Sequence, residues 1–504
     1  MDGKSGSPAP VDGISEYEKQ RLQNIERNAA YLSSLGMDVV KSEISTSVAE
    51  SKRRKTVARG IKASKRTKEQ LPRRKSARLT GQKPEMAPVY NLDALFSGSN
   101  QSQVTVEERV RRFDSDPIPL ENLNASPESD AKMIEILKDT VVKQEPKKKK
   151  AKVGRTFTQI KEYTEMVNSL KLDQEDIAKV VKDRATALAF HPSDSKLIVG
   201  AADKFGKVGV WLVDHRTEET EGWNDGVFLY KPHCANVGKL QFHPRDYAKM
   251  YTTSYDGTIR CLDLEKEVFE EVYAVNDEDA DLHYSYIPET TDSSVMYIGD
   301  TGGVVKALDM RTNQVAWSYT LHERKINTVQ TNPSSPEYLV SASLDRTVAI
   351  WDIRQLGSSK KSSKPKSIAS TQGFSRSVNC AYFSYTGNYL ITVSQDDKNH
   401  LFENPINAAK GKLVPKLTVQ HNNNTGRWLT KFHPTWDVKG PDVYVIGSME
   451  QPRRVEVFSA ESQRPIAYLR NEEFMGSVQS LNIPHTKLNI FATVNSSGKV
   501  HIYR

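Results

Sequence analysis

Three His-Pro pairs, at His191, His243 and His433, and a set of aspartates including Asp256 and Asp345 are the side chains of this 504-residue sequence best suited to acid–base or metal chemistry. An imidazole titrates near neutrality, and a carboxylate beside it can hold or move a proton. Their placement argues otherwise. Each His-Pro stands at the same point of a recurring phrase, where it closes a turn, and the aspartates fall where a carboxylate accepts turn amides. No Gly-rich phosphate cradle, nucleophile elbow or Cys-His pair accompanies them, so no catalytic group and no cofactor is assigned. Cys234, Cys261 and Cys380 have neither Cys-x-x-Cys nor metal-ligand spacing. They read as buried, reduced thiols, and no metal site is assigned.

Cations and amides offer a different chemistry. "QHNNNTGRWLTKFHP", Gln420 to Pro434, combines His421, Asn423 and neighbouring amides that can bond base edges with Arg427 and an indole, Trp428, that can stack on an exposed base. The alternative for Trp428 is packing between elements, the common fate of an indole.

What would position these groups is a repeat. "SASLDRTVAIWDIR", Ser341 to Arg354, joins a small polar run, an Asp turn and an alternating strand, and six further segments end in the same kind of strand. The position of Trp351 is taken by Trp211, Leu262, Leu308, Phe402, Phe458 and Tyr503 in the others, at intervals of 43 to 56 residues. Each copy follows another alternating strand closed by a Pro or Gly turn, such as "ATALAFHP", "VGKLQFHP" or "WLTKFHP". Such a unit is a β-meander of about 40 to 45 residues, and seven of them predict an all-β, seven-bladed β-propeller. The last copy ends on its third strand, so "IAKVVKDR", Ile177 to Arg184, is expected to supply the missing outer strand and close the ring.

In that fold the loops leading into the inner strands share one rim. They carry Arg184, His233, Arg324 with Lys325, Arg376, and Arg427 with Trp428, and the loops between second and third strands add Lys204, Arg346, Lys398, Arg453 and Arg454. Residues 151–504 hold 42 Lys and Arg against 42 Asp and Glu, yet one face can still be positive. That is the footprint of a nucleic-acid binder, although Lys and Arg are also common in exposed loops.

Residues 1–155 form a basic, mostly disordered region ahead of the propeller, which is placed at 156–504. Residues 1–150 carry 29 Lys and Arg against 21 Asp and Glu, and residues 51–80 alone hold 13 basic groups and one acidic. Such a block repels itself, cannot build a core and seeks polyanions. "KRRK", "PRRKSARL" and "PKKKKAKV" serve nuclear import or phosphate contacts, and the protein is expected in the nucleus. Near residues 15–35 a capping box, Ser15 with Glu18, and an apolar face of Leu22, Ile25, Ala29 and Leu32 predict one amphipathic helix. It docks on a partner or folds back on the propeller. Val40-Lys41-Ser42-Glu43 and Val142-Lys143-Gln144-Glu145 fit a SUMO-acceptor pattern. No apolar run approaches the roughly 20 residues that cross a bilayer, and the start has no signal-peptide core, so no membrane partner is expected.

Trp351-Asp352 is the signature dipeptide of the WD-repeat family, which the whole repeat region resembles. "HNNNTGRWLTKFHP", "EYEKQRLQNIERNAAYLSSLGM", "VVKDRATALAFHP" and "LHERKINTVQTNP" together resemble the DNA-damage-binding WD-repeat proteins of the fungal changed-mutation-rate type and their vertebrate counterparts. These are similar to the small subunit of the ultraviolet-damaged DNA-binding complex. The resemblance implies a non-enzymatic protein that binds damaged double-stranded DNA, with phosphate contacts on Arg184 and Lys325 and a probing hairpin within His421 to Trp428. The relative's hairpin has an aromatic wedge where this chain has Asn422, Asn423 and Asn424, which implies looser recognition. Val340 to Arg354, with Asp352 and Arg354, also resembles the box by which some WD-repeat proteins dock on the adaptor of cullin-RING ubiquitin ligases, and Arg311 ends a weaker copy. An ordinary blade needs the same residues. A scaffold that binds histones or that adaptor is the alternative function.

Overall fold

Residues 116–123, 157–215, 226–275, 281–289, 294–356, 365–371 and 373–504 are described by the structure, a computed structural model. The helix expected near 15–35, the basic block 51–80, the lysine run 147–150 and both Val-Lys-x-Glu stretches lie outside those residues. Seven antiparallel sheets of four strands follow one another along the chain, one of them widened by a fifth strand. They are the blades of the expected propeller. The inner strands of blades 1 to 7 are Ala185–Phe190, Val237–Phe242, Leu282–Tyr286, Ile326–Thr331, Val378–Phe383, Thr435–Asp437 and Gln479–Pro484.

Second and third strands are covered on both faces by neighbouring blades, so they read as near-continuous apolar runs. Ile198–Asp203 and Val208–Leu212 of blade 1 are buried at every position, whereas the outer strand Gln314–Thr320 of blade 3 is largely exposed. Between blades 1 and 7, Val199 and Trp211 pack with Ala492, Val494 and Ile502.

The turn chemistry is as the repeat required. Asp203 accepts the amides of Phe205 and Lys207, Asp300 those of Gly302 and Val304, and Asn495 those of Ser497 and Lys499. Asp256 and Asp345 accept the amides of Thr258 and Thr347 at 3.0 and 2.9 Å. In blade 4 the network is complete: Trp351 Nε1 donates to Ser341 Oγ (2.8 Å), which meets His322 Nε2 (2.7 Å), while His322 Nδ1 meets Asp345 (2.8 Å). Blade 2 repeats it with Thr252, His233 and Asp256. His191 and His243 cap their turns, each Nδ1 accepting an amide, from Ser193 at 3.1 Å and Asp246 at 2.8 Å. His433 departs from that role, for its Nδ1 meets Tyr382 Oη at 2.9 Å.

The ring closes through the upstream segment. Ile177–Lys179 pairs with Lys499–Tyr503, Ile177 opposite His501 and Lys179 opposite Lys499. The strand is shorter than the expected Ile177 to Arg184. At Val180 and Val181, whose amides both turn to the Gly498 carbonyl, the chain leaves blade 7, and Val180 then packs directly on Gly209 of blade 1.

Four local features differ from the sequence reading. The helix α1, Ile160–Ser169, was not anticipated; it buries Tyr163 and Val167 against blade 6, and Tyr163 Oη donates to Asp437 at 2.8 Å. Within the stretch expected to be without structure, Ile118–Pro119 adds a fifth strand to blade 2, with Asp116 paired to Arg260 at 3.1 Å and Leu120 buried among blades 1 and 2. Pro117 and Pro119 suit such an edge, since no further strand asks for their amides. In blade 6 "WLTKFHP" is not a regular strand. Trp428 stands in a turn over 426–428, Phe432 is drawn fully into the core, and pairing with Val443–Gly447 begins only at Thr435. Cys261 and Cys380 are buried thiols, but Cys234 is exposed, contrary to expectation.

Candidate nucleic-acid interface

Loops entering the inner strands and loops joining second to third strands emerge on one face of a propeller. On that face Arg184 donates from Nη1 to the carbonyl of Arg427, and Thr430 donates to the carbonyl of Ala185. Two bonds thus fasten the loop of blade 6 to blade 1. At the tip Gly426 (φ +60°) turns the chain, and Trp428 is left 72 % exposed with the Arg427 guanidinium 4.6 Å from its ring centre. Packing between blades is therefore not what this indole does. The amide of Lys204 bonds the carbonyl of Arg184 at 3.1 Å, and the Lys204 ammonium lies 4.3 Å from the ring of Phe205, itself 43 % exposed. Two exposed rings, each beside a cation and linked through Arg184, can stack on bases while the cations meet phosphates.

Toward the central channel a second group gathers. Lys325 Nζ donates to Tyr255 Oη at 2.9 Å, and the Tyr255 ring lies 5.2 Å from that of His283. Burial, and then the neighbouring charge of Lys431, push the Lys325 ammonium down to about 8. Burial lowers Lys431 as well. His283 is held well below its usual range by burial and by Lys325, His433 and Lys431. His433 is pushed down to about 3 by burial, followed by Lys239, Lys431 and Lys325. Lys239 lies 5.2 Å from the ring of Tyr284, whose hydroxyl is 3.4 Å from that of Tyr382. Three lysines and two neutral imidazoles thus share one field, contributed by blades 2, 3, 4 and 6.

The other residues proposed from sequence sort into three groups. Arg376 is exposed on the loop entering blade 5, as are Arg324 and Arg346 on theirs. His421 and Asn423 are buried and spent internally: Asn423, 2 % exposed, bonds Ser394, Lys398, Asn399 and Asp397 and receives His421 at 2.7 Å. They brace the loop from within, and only Asn422 and Asn424 of the three amides face outward. Arg453 likewise turns into its own hairpin, donating to the Met449 carbonyl, and His233 is the buried member of blade 2's turn network. At the ends of third strands, on the opposite face, Arg354 grips Asp352 through Nε and Nη2 at 2.9 and 2.8 Å, and Arg311 grips Asp309 at 3.0 and 2.8 Å. Both guanidiniums remain largely exposed.

The sequence reading missed Phe205, Tyr255, His283 and Lys431. Phe205 follows Lys204 in an Asp-turn, so a cation and a ring adjoin in the sequence of that loop. The other three come from separate blades, and no spacing along the chain signals their meeting. Among the described residues no group of three or more His, Cys, Asp or Glu is placed to hold a metal ion, and no helix is long and apolar enough to cross a membrane.

A family model described as "WD domain, G-beta repeat" matches residues 313–352 and 365–403, the parts of blades 3 to 5 that contain the Trp351-Asp352 phrase. The chain is 32 % identical over 501 residues to WD repeat-containing protein 76 of Xenopus laevis, a match covering 98 % of this chain and 81 % of that protein. It is 31 % identical to the DNA damage-binding protein CMR1 of Chaetomium globosum, over 69 % of this chain and 71 % of that one. With the CMR1 protein of Scheffersomyces stipitis the identity is 28 %, over 97 % and 99 %.

Proposed function

The chain belongs to the family of WD repeat-containing protein 76 and DNA damage-binding protein CMR1, and from that premise we propose that it is a nuclear, non-enzymatic protein that binds damaged double-stranded DNA with its loop face. The observation that carries this reading is Trp428, exposed beside Arg427 on a loop fastened to Arg184. So placed, the indole offers a base a face to stack on and sets a cation beside it for the phosphate. Arg184, Arg376, Arg427, Lys204 and Lys325 supply phosphate contacts, which set affinity and its salt dependence. Trp428 and Phe205 supply stacking surface for a base that a lesion of the ultraviolet type has loosened, and Asn422 and Asn424 reach for its edges. The basic clusters upstream direct the protein to the nucleus and add sequence-independent attraction.

The test is binding of the full chain to irradiated and unirradiated duplexes of one sequence across a salt series. Tighter binding of the irradiated duplex, lost in Trp428→Ala while the unirradiated affinity stays, supports the reading. Equal affinity for both duplexes overturns it.

A second surface has its own support. The two forks, Asp352 with Arg354 and Asp309 with Arg311, present paired guanidiniums on the face away from the DNA, where a ubiquitin-ligase adaptor could dock while DNA is held. Histones fit less well, because their tails are basic and so is the loop face.

A further inference from the structure

We propose that the channel mouth framed by Lys325, Lys431 and Lys239 is a phosphomonoester site, and that on DNA it takes the terminal phosphate of a broken strand; this rests on the DNA-binding reading above. The first argument is charge. Lys325 and Lys431 come from different blades and are close enough that the charge of one disfavours that of the other. Among the described residues no acid acts on Lys325, and the carboxylate that feels Lys239, Glu289, lies beyond the end of blade 3's inner strand, bonded to Tyr385 at 3.4 Å. Like charges brought together in a partly dry site are costly unless a counter-charge enters.

The second argument is unfilled hydrogen bonding. Lys325 gives one of its three hydrogens to Tyr255, and Lys431, half-buried, has the buried thiol of Cys380 as its neighbour. His283 Nδ1 is buried and unbonded, although Gly238 lets the two backbones approach closely. Buried polar groups usually find partners within the fold, so the hydrogen-bonding capacity left open here is available to a solute. Yet Lys325, Lys431, His283 and His433 all keep some contact with solvent, so a small solute can reach them.

The third argument is shape and valence. A phosphodiester within a duplex carries one negative charge and continues into sugars on both sides, whereas a monoester at a strand end has one attachment and enters end-on. With a second pKa of about 6 it carries nearly two charges at neutral pH, which suits several ammonium groups better. Inorganic phosphate shares this chemistry, and the experiment separates the two sources.

Nicked duplexes that differ only in a phosphate or a hydroxyl at the nick are titrated with the full chain, with inorganic phosphate as competitor and its own binding followed by phosphorus NMR. The phosphate-ended duplex should bind about tenfold tighter, the difference made by one charge-assisted hydrogen bond. Inorganic phosphate should erase that margin. The double variant Lys325→Gln, Lys431→Gln should lose the margin, whereas Lys325→Arg keeps it. Neither Gln substitution removes an ion pair, so the melting temperature should hold or rise, and it is measured first. Equal binding of both ends by the unaltered chain, or a margin that survives in a folded double variant, overturns the site while leaving DNA binding intact. Binding of inorganic phosphate without binding of any duplex upholds the anion site and overturns its assignment to DNA ends.

Discussion

Lys325 and Lys439 are both lysines taken largely out of water, one at the channel mouth and the other on the loop after the inner strand of blade 6. Lys439 is 2 % exposed, but its ammonium bonds Asp437 at 2.9 Å and the carbonyl of His485, and the other oxygen of Asp437 takes the hydroxyl of Tyr163. Burial lowers its pKa, and Asp437 opposes that. At Lys325 the neighbouring charge is a second lysine, and burial goes unopposed by any acid. The first arrangement locks α1 to the propeller, with the ammonium held by two oxygens and the Tyr163 hydroxyl by a third. The second leaves donors waiting, which a fold tolerates only at modest cost and where another molecule supplies the acceptor.

That contrast breaks most sharply at Asp437. Asp437→Ala strands a buried ammonium and a buried hydroxyl, and should destabilise the protein by about 3–5 kcal/mol in thermal or denaturant melts, with DNA affinity per folded molecule unchanged. A melting curve like the parent's would mean the lock is unimportant. Trp428→Ala should do the reverse: no change in melting, since the ring is exposed, and a loss of about 1–3 kcal/mol confined to damaged DNA. Replacement of Arg184 by Ala should weaken all duplexes alike and lower the salt slope by about one, as read from affinities between low and moderate salt. An unchanged slope would take the residue off the phosphates.

The smallest effect is a pH dependence of opposite sign for binding and stability. Lys325 is charged below about 8 in the fold, and an unfolded lysine stays charged to about 10.4. Between those values the unfolded chain holds the extra proton, so the Lys325 contribution to stability rises with pH. Anion affinity should fall over the same interval as the ammonium is lost. The groups that share its field, Lys431, Lys239, His283, His433 and Tyr255, are all retained in the control Lys325→Gln, in which the fall should be flatter. Melting and titration at matched ionic strength read both slopes.

The architecture was legible because each blade repeats a local solution. A carboxylate or Asn holds the turn at Asp203, Asp256, Asp300, Asp345 and Asn495, and a run of apolar residues covered on both sides precedes and follows it. What stayed hidden depended on neighbours far along the chain. "WLTKFHP" alternates like a strand, but the bonds of Arg184 and Thr430 to the facing blade pull it out of register. Asn423 looks like an exposed loop residue until Asp397 and Ser394 are seen to claim it, and His421 until Asn423 does. The helix α1 buries only Tyr163 and Val167, too few to stand out in a polar stretch. Arg184, Lys325, Arg427 and Trp428 were found from their place in the repeat, while Lys431 and His283 meet only once the ring has closed.

Ring closure also sets a timetable. Arg504, which holds Asp176 at 2.8 Å, lies 328 positions downstream of it, and the strand Ile177–Lys179 waits for Lys499–Tyr503. At ribosomal rates of about 5–20 residues per second, the interval is on the order of tens of seconds. Throughout that time the first blade has no seventh blade beside it, and apolar positions such as Val199 and Trp211 lack half of their packing. The nascent chain is therefore a dependant of whatever shields apolar surface during synthesis, and its yield in a cell should follow the supply of that shielding more closely than the stability of the finished ring.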